Sequence, residues 1–306
     1  MKFSLVIPVY NEEKIIPLLI SESLRGLSTF TDDFEIICVD DGSKDRTLEL
    51  LLEQRKKDTR IKVVALSRNF GHQAAYTAGL SFAKGDIIGM MDGDLQDPPE
   101  LLHAMYQKVH SDTYDVVFGL RKERNEAPVK KVLIKSFHQL FTRLSNIRAP
   151  ANVGNFSVMN RAALEAFLQL QEKNRYLPGL RFFIGFRQGF VEYDRPDRSI
   201  GEAKMNLSKL TRLALDAIFS FSKLPLRLCL IVGILGLLFT VGGTILVLSF
   251  KLIGRAILGW SSVLISMYFL GSVQLVFLGV IGEYVHRIYV ETQNRPVFIV
   301  RKYYDS

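Results

Sequence analysis

IIGMMDGDLQDPPE, residues 87–100, joins a short apolar run to a cluster of acids closed by two prolines. The apolar part predicts a buried strand, and the acids stand at its end. In an extended segment alternate side chains share a face, so Asp92 and Asp94 would offer carboxylates, and Gln96 an amide oxygen, to one hard cation. Mg²⁺ or Mn²⁺ suits such ligands. Both usually keep positions for water and phosphate oxygens, which points to a substrate carrying a diphosphate. Pro98 and Pro99 end the strand geometry. Two acids behind an apolar run also make an ordinary solvated turn, so the neighbouring segments must decide.

Two other strand ends do so. The chain opens with FSLVIPVYNEE, an apolar strand over Phe3–Val9 that runs into Tyr10, Asn11, Glu12 and Glu13. A second apolar run, residues 34–39, ends in Asp40, Asp41, Gly42 and Ser43. Open α/β sheets bind ligands just past the carboxyl ends of buried strands, where strand order reverses. Further strands are predicted at Ile61–Leu66, 86–91 and 115–119, alternating with helical patterns at Thr47–Lys57 and 73–84. That alternation predicts an α/β fold, a parallel-type sheet with helices on both faces and a nucleotide crevice.

PVYNE at Pro8, DDGS at Asp40, SRNFG at Ser67 and DGDLQDPPE at Asp92 together resemble the inverting family-two glycosyltransferases. More narrowly, the chain resembles the polyprenyl-phosphate hexose synthases, the group of dolichol-phosphate mannose synthase and the bactoprenol glucosyltransferases. The resemblance covers nearly the whole length. It implies a GT-A type domain, a UDP- or GDP-sugar as donor and a polyprenyl phosphate as acceptor. It also implies donor contacts at Pro8, Tyr10, Asn11, Glu12, Asp40, Asp41 and Asp92, with the metal at Asp92, Asp94 and Gln96. Arg121 falls where the family has a phosphate-contacting arginine, and Lys131 and Lys135 are candidates for the same duty. Residues 198–204, RSIGEAK, resemble an R-x-x-G-x-S-K element with Ala203 in place of serine, so Arg198 and Lys204 carry over without a hydroxyl. Asp94 and Arg121 are the expected catalytic pair.

The chemistry such a pairing implies is transfer of a hexose, with UDP-glucose the leading donor, to a lipid phosphate, giving a lipid-linked sugar for envelope glycans. A phosphate monoester has its second pKa near about 6, so it is anionic at neutral pH and attacks without a general base. One departure stands out. Where many bactoprenol glucosyltransferases have G-D-F-R, this chain has Gly154, Asn155, Phe156 and Ser157, and an asparagine cannot take a proton.

Composition frames these readings. The chain has 306 residues and a formal net charge of +8, with a positive mean hydropathy of +0.15. Basic and apolar together suggest a membrane with anionic head groups. No basic stripe with interleaved aromatics points to nucleic acid. Cys38 and Cys229 give no disulfide framework. Residues 228–250 and 261–282 are charge-free apolar runs, each near the roughly 20 residues needed to cross a bilayer. Lys and Arg flank the pair on its outer sides, so the positive-inside rule places both termini in the cytoplasm. The expected organisation is a cytosolic glycosyltransferase domain over 1–204, an interfacial amphipathic helix over 205–227, and spans at 228–250 and 261–282. A non-cytoplasmic link, 251–260, joins the spans, and a cytosolic tail covers 283–306. A homo-oligomer is compatible with the sequence. Two other classes share some features. A processive polysaccharide synthase would show Q-x-x-R-W and more spans, and neither is found; an inactive membrane scaffold would lack the acidic metal ligands, which are present.

Overall fold

The structure is a computed structural model and describes residues 1–121, 153–173, 175–194, 224–253 and 259–305. Lys131, Lys135, Arg198 and Lys204 lie outside the described residues, as does nearly all of the expected interfacial helix. The chain divides into two compact units.

The first unit is built on one sheet. Its described strands are β1 (Phe3–Val9), β2 (Phe34–Asp40), β3 (Ile61–Leu66), β4 (Ile87–Met90), β5 (Val116–Arg121), β6 (Val153–Asn160), β7 (Gln188–Tyr193) and β8 (Val300–Tyr304). They run in the order β7-β5-β6-β4-β1-β2-β3-β8. The centre, β4-β1-β2-β3, is parallel, with Phe3 opposite both Phe34 and Ile87. The periphery is mixed: β6 runs antiparallel to β4 and to β5, and β8 antiparallel to β3, while β7 runs parallel to β5. The expected parallel-type sheet is therefore a mixed one.

The helices are α1 (Ile16–Ser28), α2 (Thr47–Lys57), α3 (His72–Phe82), α4 (Leu101–His110), α5 (Arg161–Leu168) and α6 (Leu177–Phe183). Alternation along each central strand feeds two cores, as a sheet covered on both faces requires. Phe3, Leu5, Ile7, Ile36 and Cys38 pack with Leu19 of α1, Leu51 of α2 and Met105 of α4. Val6, Ile37 and Val39 face the other way, toward Tyr76 of α3, Phe167 of α5 and Leu180 of α6. Burial pushes the Cys38 thiol up to about 12, so it behaves as an apolar filler.

Of the expected tail, 283–306, only the part from Arg295 onward belongs to this unit. After Arg295 the chain rejoins it, and β8 extends the sheet beside β3. Asp305 is clamped by Lys62 Nζ at 2.8 Å and Lys84 Nζ at 2.6 Å. Tyr303 packs against Phe82 with ring centroids 4.4 Å apart and the planes tilted by 36°.

The second unit contains α7 (Leu224–Leu252) and α8 (Trp260–Thr292). Both expected apolar runs are helical. Within the described residues one stretch, Phe269–Thr292, is long and apolar enough to cross a membrane, while the apolar part of α7, Ile231–Gly243, falls short of that length. α8 continues ten residues past the end expected for the second span, from Gly282 to Thr292.

Candidate active site

The sheet topology marks a candidate position for the site independently of the motifs. From β1 the chain proceeds outward through β2 and β3, whereas β4 lies on the other side of β1. The carboxyl ends of β1 and β4 therefore flank a switch point, the usual ligand position in such sheets. A crevice of about 490 Å³ opens there, lined by Pro8, Tyr10 and Glu12 after β1, Asp41 after β2, His72 on α3, and Asp92 and Asp94 after β4.

Asp92 is held by side chains that its own motif does not contain. Its Oδ1 accepts a hydrogen bond of 2.7 Å from the Tyr76 hydroxyl and lies 3.2 Å from His72 Nε2. His72 and Tyr76 are four residues apart and so share a face of α3. Burial alone would raise the Asp92 pKa, but the His72 and Tyr76 hydrogen bonds and the Arg121 charge outweigh it and lower it to about 2. Asp92 is thus an anion at neutral pH. Burial opposes a charge on His72, yet Asp92 prevails and raises that pKa.

Asp92, Asp94 and Gln96 do not alternate along a strand. β4 ends at Met90, and the segment turns through Leu95 with a φ of 55°. Asp94 Oδ1 accepts from the Gln96 amide at 3.2 Å, which is a turn contact. Asp92 and Asp94 reach the crevice, while Gln96 is buried and absent from its lining. Among the described residues no three His, Cys, Asp or Glu side chains form a metal cage. Two carboxylates on one wall are a partial set of hard donors, which phosphate oxygens and water can complete.

The acids after β2 separate in the same way. Asp41 lines the crevice and accepts from the amides of Phe70 and Gly71 at 2.7 and 3.0 Å, fixing the loop that leads into α3. Asp40 is buried and accepts from the Ser43 amide at 3.1 Å, closing its own turn. Burial raises both pKa values. Gly42 makes that turn feasible: its φ is +68°, and a Cβ there would sit 2.4 Å from the Arg68 carbonyl carbon. Asn11 likewise serves the loop, accepting from the Lys44 amide at 2.8 Å.

On the far side of β4, Arg121 ends β5 and is one-quarter exposed. Its Nε donates to the Tyr193 hydroxyl at 3.1 Å, and its Nη2 lies 3.7 Å from Asp97 Oδ1. Arg181, wholly buried, donates to the Gly154 and Asn155 carbonyls at 2.8 Å each and to Ser157 Oγ. Burial lowers its pKa to about 10, which leaves it a cation at neutral pH. Asn155 is buried, and its Oδ1 has no hydrogen-bond partner among the described residues. Sequence reading missed His72, Tyr76, Asp97, Arg181 and Tyr193. Of these only His72, which follows SRNFG, and Asp97, which lies within DGDLQDPPE, carried a signal.

Comparison with known proteins agrees with this geometry. Residues 4–168 match the family described as Glycosyl transferase family 2. A glycosyltransferase of Synechocystis sp. is 42% identical over 302 residues, covering 98% of this chain and 95% of that protein. The prophage bactoprenol glucosyl transferase homolog of Escherichia coli (strain K12) is 35% identical over 304 residues, covering 99% of each. Among solved structures, glucosyl-3-phosphoglycerate synthase from Mycobacterium tuberculosis, in complex with Mn²⁺, UDP and its product, is similar with a TM-score of 0.50. At 17% identity it covers 71% of this chain and 77% of its own. The mixed sheet is of the GT-A type, and the chain belongs to glycosyl transferase family 2 as a sugar-transferring enzyme.

Proposed function

We propose that this glycosyltransferase moves a hexose from a UDP-sugar, with UDP-glucose the first candidate, to the phosphate of a membrane polyprenyl phosphate. The observation that carries this reading is the placement of Asp41, Asp92 and Asp94 on one crevice at the switch point, with the Arg121 guanidinium bound to the same acidic loop through Asp97. Relatives named bactoprenol glucosyl transferase, 35% identical over nearly the full length, support the acceptor class.

Asp92 and Asp94 would hold Mg²⁺ or Mn²⁺. Held by these two carboxylates, such an ion would supply positive charge toward the leaving diphosphate. His72 and Tyr76 fix the Asp92 carboxylate so that one oxygen keeps its orientation before substrate arrives, which spares reorganisation. Arg121 offers a cation to the incoming phosphate. The lipid phosphate oxygen bonds to the anomeric carbon as the bond to the nucleoside diphosphate breaks on the opposite face, inverting the configuration. The nucleophile is already an anion, so no residue need remove a proton, and Asn155 is compatible with activity.

Membrane attachment belongs to the same reading. Many large apolar side chains of the second unit are exposed, among them Phe239, Leu238, Phe269 and Leu275. Such a surface is unusual for a water-facing protein and ordinary for a lipid-facing one. Because the chain leaves the first unit before α7 and rejoins it at Arg295, any crossing must be matched by a return. This supports two spans with both flanks on one side, and the flanking cations favour the cytoplasm. Incubating the full chain with labelled UDP- and GDP-sugars and polyprenyl phosphate tests the proposal. A chloroform-soluble sugar phosphate formed with Mg²⁺ or Mn²⁺ and lost in EDTA is expected; transfer to a sugar polymer instead would refute it.

A further inference from the structure

We propose that Tyr193 is a positioning residue for Arg121, and that together with Asp97 it ties this arginine to the loop bearing Asp92 and Asp94. The inference rests on the proposed role of Arg121 toward an acceptor phosphate. Three segments far apart in sequence meet here: Asp97 after β4, Arg121 at the end of β5 and Tyr193 at the end of β7. The Tyr193 hydroxyl donates to Asp97 Oδ1 at 2.6 Å, so its oxygen lone pairs are left to accept from Arg121 Nε at 3.1 Å. The hydroxyl thereby stands between a carboxylate and a guanidinium.

An arginine present only to neutralise a buried aspartate would close onto it as a short, two-pronged ion pair. Asp97 is fully buried and Arg121 is at hand, yet the closest approach between them is 3.7 Å. The interposed hydroxyl satisfies Asp97 Oδ1 and holds the guanidinium in place without drawing it inward. Burial works against the charge of Arg121, but the Tyr193 hydrogen bond and the nearby Asp97 and Asp92 raise its pKa, so it stays a cation. Gly154 gives the guanidinium room, since a Cβ at that position would come within 2.6 Å of Arg121 Nη2. The ring of Tyr193 is itself fixed, edge-on to Phe156 with centroids 5.5 Å apart.

Asp97 follows Gln96 directly and Asp94 by three residues. Any shift of that loop when a donor and its cation bind is therefore passed to the Tyr193 hydroxyl and on to Arg121. Donor-side and acceptor-side charges are linked through one oxygen atom.

Tyr193→Phe tests this, because it removes the hydroxyl and keeps the ring. Binding is measured on the full chain in detergent by calorimetry, with polyprenyl phosphate, with the matching polyprenol lacking phosphate, and with UDP and GDP. The variant is expected to bind polyprenyl phosphate about tenfold more weakly, the scale of a lost hydrogen bond to a charged group, with nucleotide affinity unchanged. In an Arg121→Ala background the same substitution should cause no further loss, since residues acting through one another are not additive. Wild-type affinity for polyprenyl phosphate in the variant, an equal loss for nucleotide, or a full additional loss in the Arg121→Ala background would each overturn the inference. If the wild-type chain binds the phosphate and the polyprenol equally, the acceptor assignment itself falls, and with it this inference; that result is seen before any variant is made.

Discussion

Tyr76, fully buried on α3, donates its hydroxyl hydrogen to Asp92 Oδ1 at 2.7 Å, so the acidic loop after β4 is oriented from the helix that precedes that strand. The helix in turn starts where Asp41 captures the Phe70 and Gly71 amides. The acids of two strand ends are thus mechanically continuous through α3.

Tyr76→Phe should keep the ring in its core and leave Asp92 with His72 alone. Stability should fall by about 1 kcal/mol, the usual net worth of one hydrogen bond. Nucleotide affinity, read by calorimetry with Mn²⁺, should fall with it. Unchanged affinity would show that Asp92 needs no support from α3.

Asp94→Asn should leave the melting temperature unchanged, because this side chain faces the crevice and not the core. Sugar transfer should drop by about 100-fold or more, as when one electrostatic stabiliser is removed. Equal activity of the wild-type chain in EDTA and in Mg²⁺ would rule out the metal role.

Gly42→Ala should be severe despite its small size. The residue sits at φ +68°, and the new methyl would meet backbone atoms of Arg68 and Asn69 within 2.8 Å. Left-handed geometry costs an L-residue about 1–2 kcal/mol, and the clash adds to it. A thermal melt equal to wild type would contradict this account of the turn.

Attachment of β8 should depend on pH. Hydrogen bonds from Lys62 and Lys84 hold the Asp305 carboxyl well below the usual carboxylate range. Its folded pKa lies below the unfolded value of about 3.9, so the contribution is complete above that value and is lost as pH falls toward the folded one. Hydrogen exchange in residues 300–304 should rise in acid before that of β1. It should also rise with salt, since Asp305 is about a third exposed.

Labelling with an impermeant thiol reagent in intact cells checks the membrane arrangement. With Cys229→Ala as background and Cys38 buried, Ser306→Cys should be protected and Gly259→Cys labelled. The reverse pattern would place the crevice away from cytosolic nucleotide sugars.

What the sequence disclosed and what it withheld follow from the range of the forces involved. Phe3–Val9, Ile61–Leu66 and Thr47–Lys57 were readable to the residue, because burial on both sheet faces or one helical face prints a local period. The three polar strand ends were readable for the same reason. Alternation was extended past Met90 into a turn that Leu95 reverses, and Gln96 lies buried outside the crevice lining. β6 escaped altogether, since its antiparallel pairing with β4 depends on partners some 70 residues away. Tyr76 and Tyr193 look like ordinary aromatic filling in sequence, and only the folded chain shows that each hydroxyl meets an aspartate. VRKYY, five residues long with two of them charged, reads as a tail; it becomes a strand because β3 offers an open edge and Lys62 and Lys84 await Asp305.

That last strand sets an order on biosynthesis. Lys62 and Asp305, which grip one another across the sheet, are separated by 243 residues, and both long apolar helices are translated between them. Until those helices have been made, β3 presents bare amides and carbonyls, a template for mispairing. When β8 arrives it covers that edge and turns Arg301 and Lys302 outward as charged guards on the new one. Under the proposed membrane arrangement, sheet closure would also report that α7 and α8 had been inserted the right way round, because a chain whose end lay across the bilayer from β3 could not complete the sheet.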